Sequence, residues 1–354
     1  MLPFHGMLRL RPWNVALAVL AVSVGACSRV EEPVSDRRPT PAAPSATLTA
    51  SATPAPPVPT ITPTQLLTLP SSAYQASLFA DDDVIELLTS TDAYRFLPGK
   101  EPVRRTLDLG FAATVTRQSY VYWSRGAIWS EPRRAPKEGG ATKLAALAEQ
   151  PQHFVTDVAR DEFAFLVHSA DDRYSIQKLE NRRVKTLYAS PGSIDALTMI
   201  DDGLYFVERP GDGGFRIGRV KFSGGDATFT ASKTGRWPAS LSGKTDVVYY
   251  DGNQREVLSL SPDLQQARTL AKDFICSPMA AAANVYCSTM EGIFELSAGG
   301  KPRQIVPASR QLITNLAVNS QQLAFITDAG RQGQDQLAVY VVPHSKQNAD
   351  EPTR

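Results

Sequence analysis

The sequence predicts an all-β fold, a β-propeller of seven four-stranded blades, and three observations lead to this prediction. Short runs of aromatic, β-branched and small residues recur along residues 64–343, each bounded by glycine, proline or aspartate, which is typical of strands joined by tight turns. The most regular unit, residues 111–148, contains four such runs in about 40 residues, the size of one blade. Its second run recurs at spacings of roughly 37 to 43 residues.

Composition indicates a globular chain without a dedicated affinity for nucleic acid. Hydrophobic residues make up 42% of the 354 residues, which is enough for a sizeable core. Removal of a signal peptide containing Arg9 and Arg11 from the 37 basic residues leaves 35 against 36 acidic ones. A nucleic-acid-binding domain carries a basic excess, so we expect no nucleic-acid partner.

Residues 1–26 have the pattern of a bacterial signal peptide. An acid-free start precedes an apolar run of about a dozen residues, which is too short to span a bilayer. The run ends in Val24-Gly25-Ala26-Cys27, which resembles the lipobox of bacterial lipoproteins. That resemblance implies cleavage before Cys27 and its acylation, and two or more acyl chains anchor a soluble domain stably. The alternative is an ordinary signal peptide followed by a chance cysteine.

The segment after Cys27 is predicted to be a linker over residues 27–63. Nearly all of its second half is proline, alanine, serine and threonine, a composition that cannot bury enough apolar surface to fold. A polyproline chain of that size reaches on the order of 100 Å at roughly 3.1 Å per residue. Ser28 resembles an outer-membrane sorting signal, so we expect a lipid-anchored envelope protein, on the outer membrane. Residues 344–354 are predicted to be a disordered tail.

Seven second-strand runs determine the predicted number of blades. They are Val84–Leu87, Tyr120–Trp123, Phe163–Leu166, Leu204–Val207, Val247–Tyr250, Val285–Cys287 and Leu323–Ile326. The first strands carry small side chains, which suit the narrow centre of a propeller. A competing interpretation of residues 141–150 as a short helix fits the composition but breaks the register of the repeat.

The seventh unit has no fourth strand of its own. Its third run, Ala338–Val342, is followed by Pro343 and a polar segment. Residues Thr64–Leu69 match the fourth-strand pattern and precede the first complete unit. We therefore expect them to supply the outer strand of the last blade, which closes the ring and leaves fewer exposed sheet edges.

Two cysteines in the sixth unit are predicted to form a disulfide. Cys276 and Cys287 are placed on the first and second strands, with the hairpin turning at Ala281-Ala282. Directly opposed cysteines in antiparallel strands lie within disulfide reach if they form a close, non-hydrogen-bonded pair, and a compartment outside the inner membrane permits oxidation. The alternative is two buried free thiols.

The recurring unit, YVYWSRGAIW followed by GGATKLAAL, resembles bacterial propellers of the TolB-like and YWTD (DUF5050-type) families. Weaker copies occupy residues 204–220 and 285–306, and the resemblance covers residues 65–342. It implies a propeller, and because many members of these families have six blades, six is the alternative to the seven counted from the repeats. It also implies protein- or ligand-binding roles and, for most members, no catalysis.

No motif for metal, cofactor or nucleophilic chemistry is present. The histidines that follow the signal peptide, His153, His168 and His344, are far apart in sequence, and no Gly-x-Ser-x-Gly or Walker-type glycine loop occurs. We therefore expect no metal and no cofactor. Acidic runs at residues 81–83, 171–172 and 201–202 could bind Ca²⁺ or serve a glycosidase, but they lie beside predicted turns, where aspartate is favoured locally.

Two surfaces are candidates for recognition. Basic residues recur at the hairpins between third and fourth strands, and propeller symmetry would arrange them as a basic rim of Arg104, Arg105, Arg133, Arg134, Arg182, Arg183, Lys301 and Arg303. Such a rim could contact anionic head groups, cell-wall polymers or an acidic partner. The alternative is solvated turns balanced by Glu131, Glu138 and Glu180.

The second candidate surface comprises the two long loops between second and third strands. They supply Arg209, Asp212, Phe215, Asp328, Arg331 and Asp335, and binding usually resides in loops on a rigid scaffold. The predicted function is non-catalytic binding or scaffolding in the envelope, with a protein or glycan partner. The alternative is a propeller hydrolase or carbohydrate-active enzyme that uses channel-facing carboxylates.

Overall fold

The computed structural model describes residues 61–70, 76–81, 84–110, 112–133, 140–158, 160–211, 213–236, 238, 240–277, 279–308, 311–328 and 336–343. Across these ranges the chain forms β-strands, and no helix is long and apolar enough to cross a membrane. The predicted signal peptide, Cys27, nearly all of the linker and the predicted tail lie outside the described residues.

The strands form a seven-bladed propeller of antiparallel four-stranded sheets. The first strand, β1 (Thr64–Pro70), belongs to blade 7. Blade 1 contains β2 (Ser77–Ala80), β3 (Ile85–Leu88), β4 (Asp92–Phe96) and β5 (Val103–Thr106); blade 2 contains β6 (Ala112–Val115), β7 (Ser119–Ser124), β8 (Ala127–Pro132) and β9 (Thr142–Ala146). The strand at 142–146 confirms the repeat register over the helical alternative.

Blade 3 contains β10 (Pro151–Asp157), β11 (Glu162–His168), β12 (Tyr174–Glu180) and β13 (Arg183–Ser190). Blade 4 contains β14 (Ser193–Ile200), β15 (Gly203–Arg209) and β16 (Gly214–Lys221), and two short strands, β17 (Thr228–Phe229) and β18 (Lys233–Thr234), share its outer position. Blade 5 contains β19 (Leu241–Gly243), β20 (Val247–Asp251), β21 (Glu256–Leu260) and β22 (Ala267–Ala271).

Blade 6 contains β23 (Met279–Ala281), β24 (Val285–Thr289), β25 (Gly292–Leu296) and β26 (Arg303–Pro307). Blade 7 contains β27 (Leu312–Val318), β28 (Gln322–Asp328) and β29 (Gln336–Pro343), and β1 completes it. The prediction of seven blades, with the last one closed by the N-terminal strand, is therefore confirmed.

The core consists of apolar layers between the blades. Seven buried clusters of described side chains each join two neighbouring blades, and one of them joins blade 7 to blade 1. The second strands lie in the middle of their blades and are buried on both faces, as in Leu204–Val207 of β15. This explains why they are the most continuous apolar runs in the sequence.

Strand β1 closes the ring through antiparallel pairing with β29. Thr64 lies opposite Val341 and Pro70 lies opposite Gln336, with a bulge after Gln65. The buried Leu69 packs into the cluster between blades 7 and 1. Just before β1, the N–H of Ile61 donates to the carbonyl of Ile305 in blade 6 over 3.1 Å, so the closing segment contacts two blades.

The predicted disulfide is present, but its strand register differs from the prediction. Cys276 and Cys287 are bonded, with their Cα atoms 5.4 Å apart. Strand β23 begins only at Met279, which lies opposite Cys287, so Cys276 precedes the strand. The hairpin turns at residues 282–284 rather than at Ala281-Ala282. The residues from Val285 onward set the register of this hairpin, because they must be buried in the core. The run of alanines does not by itself determine where the turn lies.

Antiparallel alternation gives the propeller two distinct faces. The turns between first and second strands and between third and fourth strands of each blade lie on the same face, which we name face 1. The turns between second and third strands and the links between blades lie on the other face, which we name face 2. Successive first strands contact one another around the centre, so the first turns of the blades surround the channel on face 1.

Candidate binding site at the centre of face 1

A cavity of about 720 Å³ lies at the centre of face 1, and we name it the mouth cavity. First turns from six blades line it, and their contributions include Asp81, Asp157, Asp201, Lys244, Ala282 and Asn319. Its volume lies within the range of ligand pockets in proteins. Because each turn joins two strands of a packed blade, the lining is held by the rigid part of the fold.

Small residues give the mouth cavity its shape. The turn of blade 6 carries three consecutive alanines, residues 281–283, and the cavity continues past them to Glu295 and Arg303 on the third and fourth strands. In blade 5, a Cβ atom on Gly243 would lie 2.1 Å from the carbonyl oxygen of Asp246 and 2.5 Å from Ile200 Cδ1. Glycine is therefore required where the turns of blades 4 and 5 meet.

The carboxylates of the mouth cavity are largely paired with arginines. Arg133 Nη1 donates to Asp81 Oδ2 over 3.0 Å, and Arg160 Nε lies 3.5 Å from Asp157 Oδ2. Arg303 Nε donates to Glu295 Oε2 over 2.8 Å. In these pairs the carboxylate oxygens accept from, or lie close to, arginine N–H groups.

Glu295 illustrates how the surroundings hold such a carboxylate ionised. Burial opposes its ionisation, but hydrogen bonds from Arg303, Asn284 and Tyr286 outweigh burial, so the pKa of Glu295 lies below its ordinary value. Asn284 Nδ2 donates over 2.5 Å and the Tyr286 hydroxyl over 3.2 Å, both to Oε1. The same contact with Glu295, added to burial, raises the pKa of Tyr286.

Asn319 is the polar residue of the mouth cavity that sequence reasoning missed. Its side-chain Oδ1 accepts from the N–H groups of Gln321 and Gln322, each over 2.9 Å, which fixes the orientation of the amide. Asn319 is 5% exposed, and its Nδ2 has no hydrogen-bond partner among the described residues. Such a buried donor is costly unless a ligand or water accepts from it. Asparagine is common in turns, so nothing in the sequence distinguishes Asn319 from an ordinary turn residue.

The predicted basic rim does not form a continuous charged surface. Arg133 is 8% exposed and lies between blades 1 and 2, where its Nε donates to Glu86 Oε2 over 3.0 Å. The prediction that Arg133 belongs to an exposed rim is wrong, because its guanidinium is directed inward to the buried Glu86. Arg104, Arg105 and Arg303 pair with Asp92, Glu131 and Glu295, respectively.

The remaining members of the rim are Arg182, Arg183 and Lys301, which are exposed, and Arg134, which lies outside the described residues. Arg182 sits with Asn181 in a two-residue turn between β12 and β13, where both adopt positive φ. Nearby carboxylates thus balance much of the rim, as in the alternative interpretation of solvated turns.

The candidate loops of face 2 are only partly described. Arg209 forms an ion pair with Asp195, with Nη2 and Oδ1 3.0 Å apart. Phe215 is 1% exposed inside β16 and packs between blades 4 and 5, so its assignment to a binding surface is wrong, because the hairpin is already complete at Gly214. Asp328 ends β28, and Asp212, Arg331 and Asp335 lie outside the described residues.

Among the described residues, no group of three or more His, Cys, Asp or Glu side chains is arranged to hold a metal ion. His168, at the face 2 end of β11, places Nε2 2.7 Å from Asp172 Oδ1 and stacks on Tyr174 at 4.2 Å between ring centroids. This contact is local to the turn between β11 and β12.

Comparison with known proteins supports the fold alone. No family model matches the chain, and no curated protein matches it. The WD40 propeller domain of Doa1 superposes with a TM-score of 0.53 at 8% identity, covering 80% of this chain and 97% of that one.

Two bacterial structures are less similar. BamB from Moraxella catarrhalis has a TM-score of 0.45 at 13% identity, covering 82% of this chain and 100% of that one. A gluconolactonase from Xanthomonas campestris has a TM-score of 0.43 at 12% identity, covering 64% and 83%. At these values neither supports a conclusion about function, and the resemblance to the TolB-like and YWTD families stays a prediction. The chain is a seven-bladed β-propeller.

Proposed function

We propose that this chain is a lipid-anchored lipoprotein of the bacterial envelope whose propeller binds a partner without catalysis. The observation that carries the proposal is the mouth cavity, which is framed by turns of six blades and lined by carboxylates, of which Asp81, Asp157 and Glu295 are paired with arginines. Preformed concave sites with a few convergent polar groups are typical of binding sites.

The proposed membrane anchor is the acylated Cys27, and the linker that follows it connects this anchor to the propeller. Ile61, where the described chain begins, contacts Ile305 near the start of β1 on face 1. A linker that reaches on the order of 100 Å lets the mouth cavity meet a partner well away from the membrane surface. The Ser28 pattern favours the outer membrane.

The pairing of carboxylates with arginines favours binding over the hydrolase alternative. A glycosidase of the usual kind needs one carboxylic acid whose pKa is raised, so that it can protonate the leaving group. In the mouth cavity, Arg303 lowers the pKa of Glu295 instead, and Asp157 is paired with Arg160. These contacts suit recognition of polar groups rather than proton transfer.

The proposal can be tested by cross-linked capture from intact cells. Three tagged forms are compared with the wild type: Cys27→Ala, Lys244→Glu in the mouth cavity, and Lys100→Glu, an exposed lysine outside it. We expect the same envelope proteins with the wild type and Lys100→Glu, and their loss with Lys244→Glu. Palmitate labelling should disappear in Cys27→Ala. Unchanged capture with Lys244→Glu would reject the mouth cavity as the binding site.

A further inference from the structure

Met290 is the most exposed large apolar side chain among the described residues. It is 80% exposed, whereas the next three, Ile275, Val103 and Leu312, are 59%, 58% and 49% exposed. Met290 lies in the two-residue turn that joins β24 to β25, on face 2. Its thioether sulfur is therefore open to reagents dissolved around the propeller.

The other described sulfur atoms are enclosed. Met199 and Met279 are 9% and 8% exposed, and both belong to apolar clusters between blades. Cys276 and Cys287 are buried and bonded to each other, so neither is a free thiol. Because oxidation of sulfur in proteins follows access to the side chain, a dissolved oxidant reaches Met290 before any other sulfur in the described part of the chain.

The turn that carries Met290 is held by groups other than its side chain. The Thr289 hydroxyl accepts from the N–H of Glu291 over 2.9 Å and donates to the carbonyl of Gly292 over 3.3 Å. Gln304 Nε2 donates to the carbonyl of Glu291 over 2.6 Å. An oxygen added to the Met290 sulfur breaks none of these bonds, so the turn keeps its shape.

We infer that Met290 is a site of reversible oxidation by hydrogen peroxide. A lone pair of the thioether sulfur attacks one peroxide oxygen, the O–O bond breaks, and after proton transfer the products are methionine sulfoxide and water. The sulfur loses two electrons and the peroxide gains them. Methionine sulfoxide reductases restore the thioether, as a pair of reductase thiols becomes a disulfide and the oxygen leaves as water. This inference does not depend on the mouth cavity or on the proposed function.

Oxidation changes the chemical character of one side of face 2. Ile275 precedes Cys276, and the disulfide joins this segment to Cys287, three residues before Met290. Consecutive Cα atoms are about 3.8 Å apart, so the Cα atoms of Ile275 and Met290 lie within about 20 Å of each other. A sulfoxide in place of the thioether adds a polar group beside the exposed Ile275. We therefore expect oxidised face 2 to associate less readily with apolar surfaces.

The test treats the full chain carrying Cys27→Ala with hydrogen peroxide and follows three methionines over time by peptide mass spectrometry. We expect Met290 to be oxidised roughly tenfold faster than Met199 and Met279. Reductases of the A and B types, one for each sulfoxide epimer, should return Met290 to the thioether in the folded protein. Stability in urea should be the same before and after this oxidation.

A matched variant, Met290→Leu, tests the change in surface character. In hydrophobic-interaction chromatography, oxidised wild type should elute earlier than untreated wild type, and peroxide should not shift Met290→Leu. Equal oxidation rates for the three methionines would overturn the inference, and this comparison within the wild type needs no variant. A sulfoxide that the reductases cannot remove, a shift that persists in Met290→Leu, or a loss of stability on oxidation of Met290 would also overturn it.

Discussion

Replacing Arg133 by methionine is expected to destabilise the propeller far more than replacing an exposed arginine. The Arg133 guanidinium joins blades 1 and 2 by donating to Glu86 Oε2 and to Asp81 Oδ2, each over 3.0 Å. Glu86 is fully buried, and without Arg133 its remaining cationic partner is Arg95, 2.9 Å away and partly exposed. Methionine fills similar space but leaves this carboxylate with less compensation.

The magnitude follows from the burial of both partners. Removing one member of a buried ion pair costs about 3–5 kcal/mol, and because Arg95 remains, we expect the lower end, about 3 kcal/mol. In a domain of this size each kcal/mol shifts Tm by about 2–4 °C, so Tm should fall by about 6–12 °C. Arg133→Lys retains the charge but cannot bridge both carboxylates, and its loss should be intermediate.

The assay is equilibrium unfolding in urea, followed by tryptophan fluorescence, together with a thermal scan by circular dichroism. The matched control is Arg173→Met, because the Arg173 side chain is 76% exposed and pairs with Asp171, whose side chain is 61% exposed, and exposed ion pairs contribute little. Equal stabilities of the two variants would refute the idea that Arg133 connects the blades.

Three further predictions concern closure, covalent bonding and alkaline pH. Leu69→Ala should lower the free energy of unfolding by about 2–5 kcal/mol, because this buried leucine of β1 packs into the cluster between blades 7 and 1; urea unfolding measures it. Replacing both disulfide cysteines by serine should cost about 2–3 kcal/mol, measured the same way without reductant. Burial and the nearby Glu86 raise the pKa of Tyr120 from 10.0 to about 12. The folded state therefore holds this proton more tightly than the unfolded state, and stability present below pH 10 is lost as the pH rises toward about 12. Tyr120→Phe should flatten that part of the stability profile.

Each of these predictions has a control and a contrary outcome. Thr68→Ala, at an exposed position of β1, should change stability little, and a loss equal to that of Leu69→Ala would mean that burial of the Leu69 side chain is not what makes its replacement costly. Reductant should lower the stability of the wild type but not of the double serine variant. A stability profile that falls equally steeply between pH 10 and 12 with Tyr120→Phe would assign the alkaline loss to other groups.

The sequence alone determined the architecture. The apolar run Leu204–Val207 and its six counterparts are local features of the sequence, and their spacing along the chain defines the blades. The pattern also showed that the last unit has no fourth strand after Pro343 and that Thr64–Leu69 is a spare fourth strand, which must find a sheet edge to pair with. The disulfide partners were predicted as well, because both cysteines lie within one repeat, 11 residues apart.

Only the tertiary structure decided where side chains meet. Arg133 resembles any basic turn residue in sequence, yet it is buried because its guanidinium reaches Glu86 of another blade. Phe215 changes from a loop residue to a core residue once the start of β16 is known. The mouth cavity joins Asp81, Asp201 and Asn319 from blades far apart in the chain. Local periodicity encodes strands, whereas a site made of turns depends on how the closed ring arranges them around its axis.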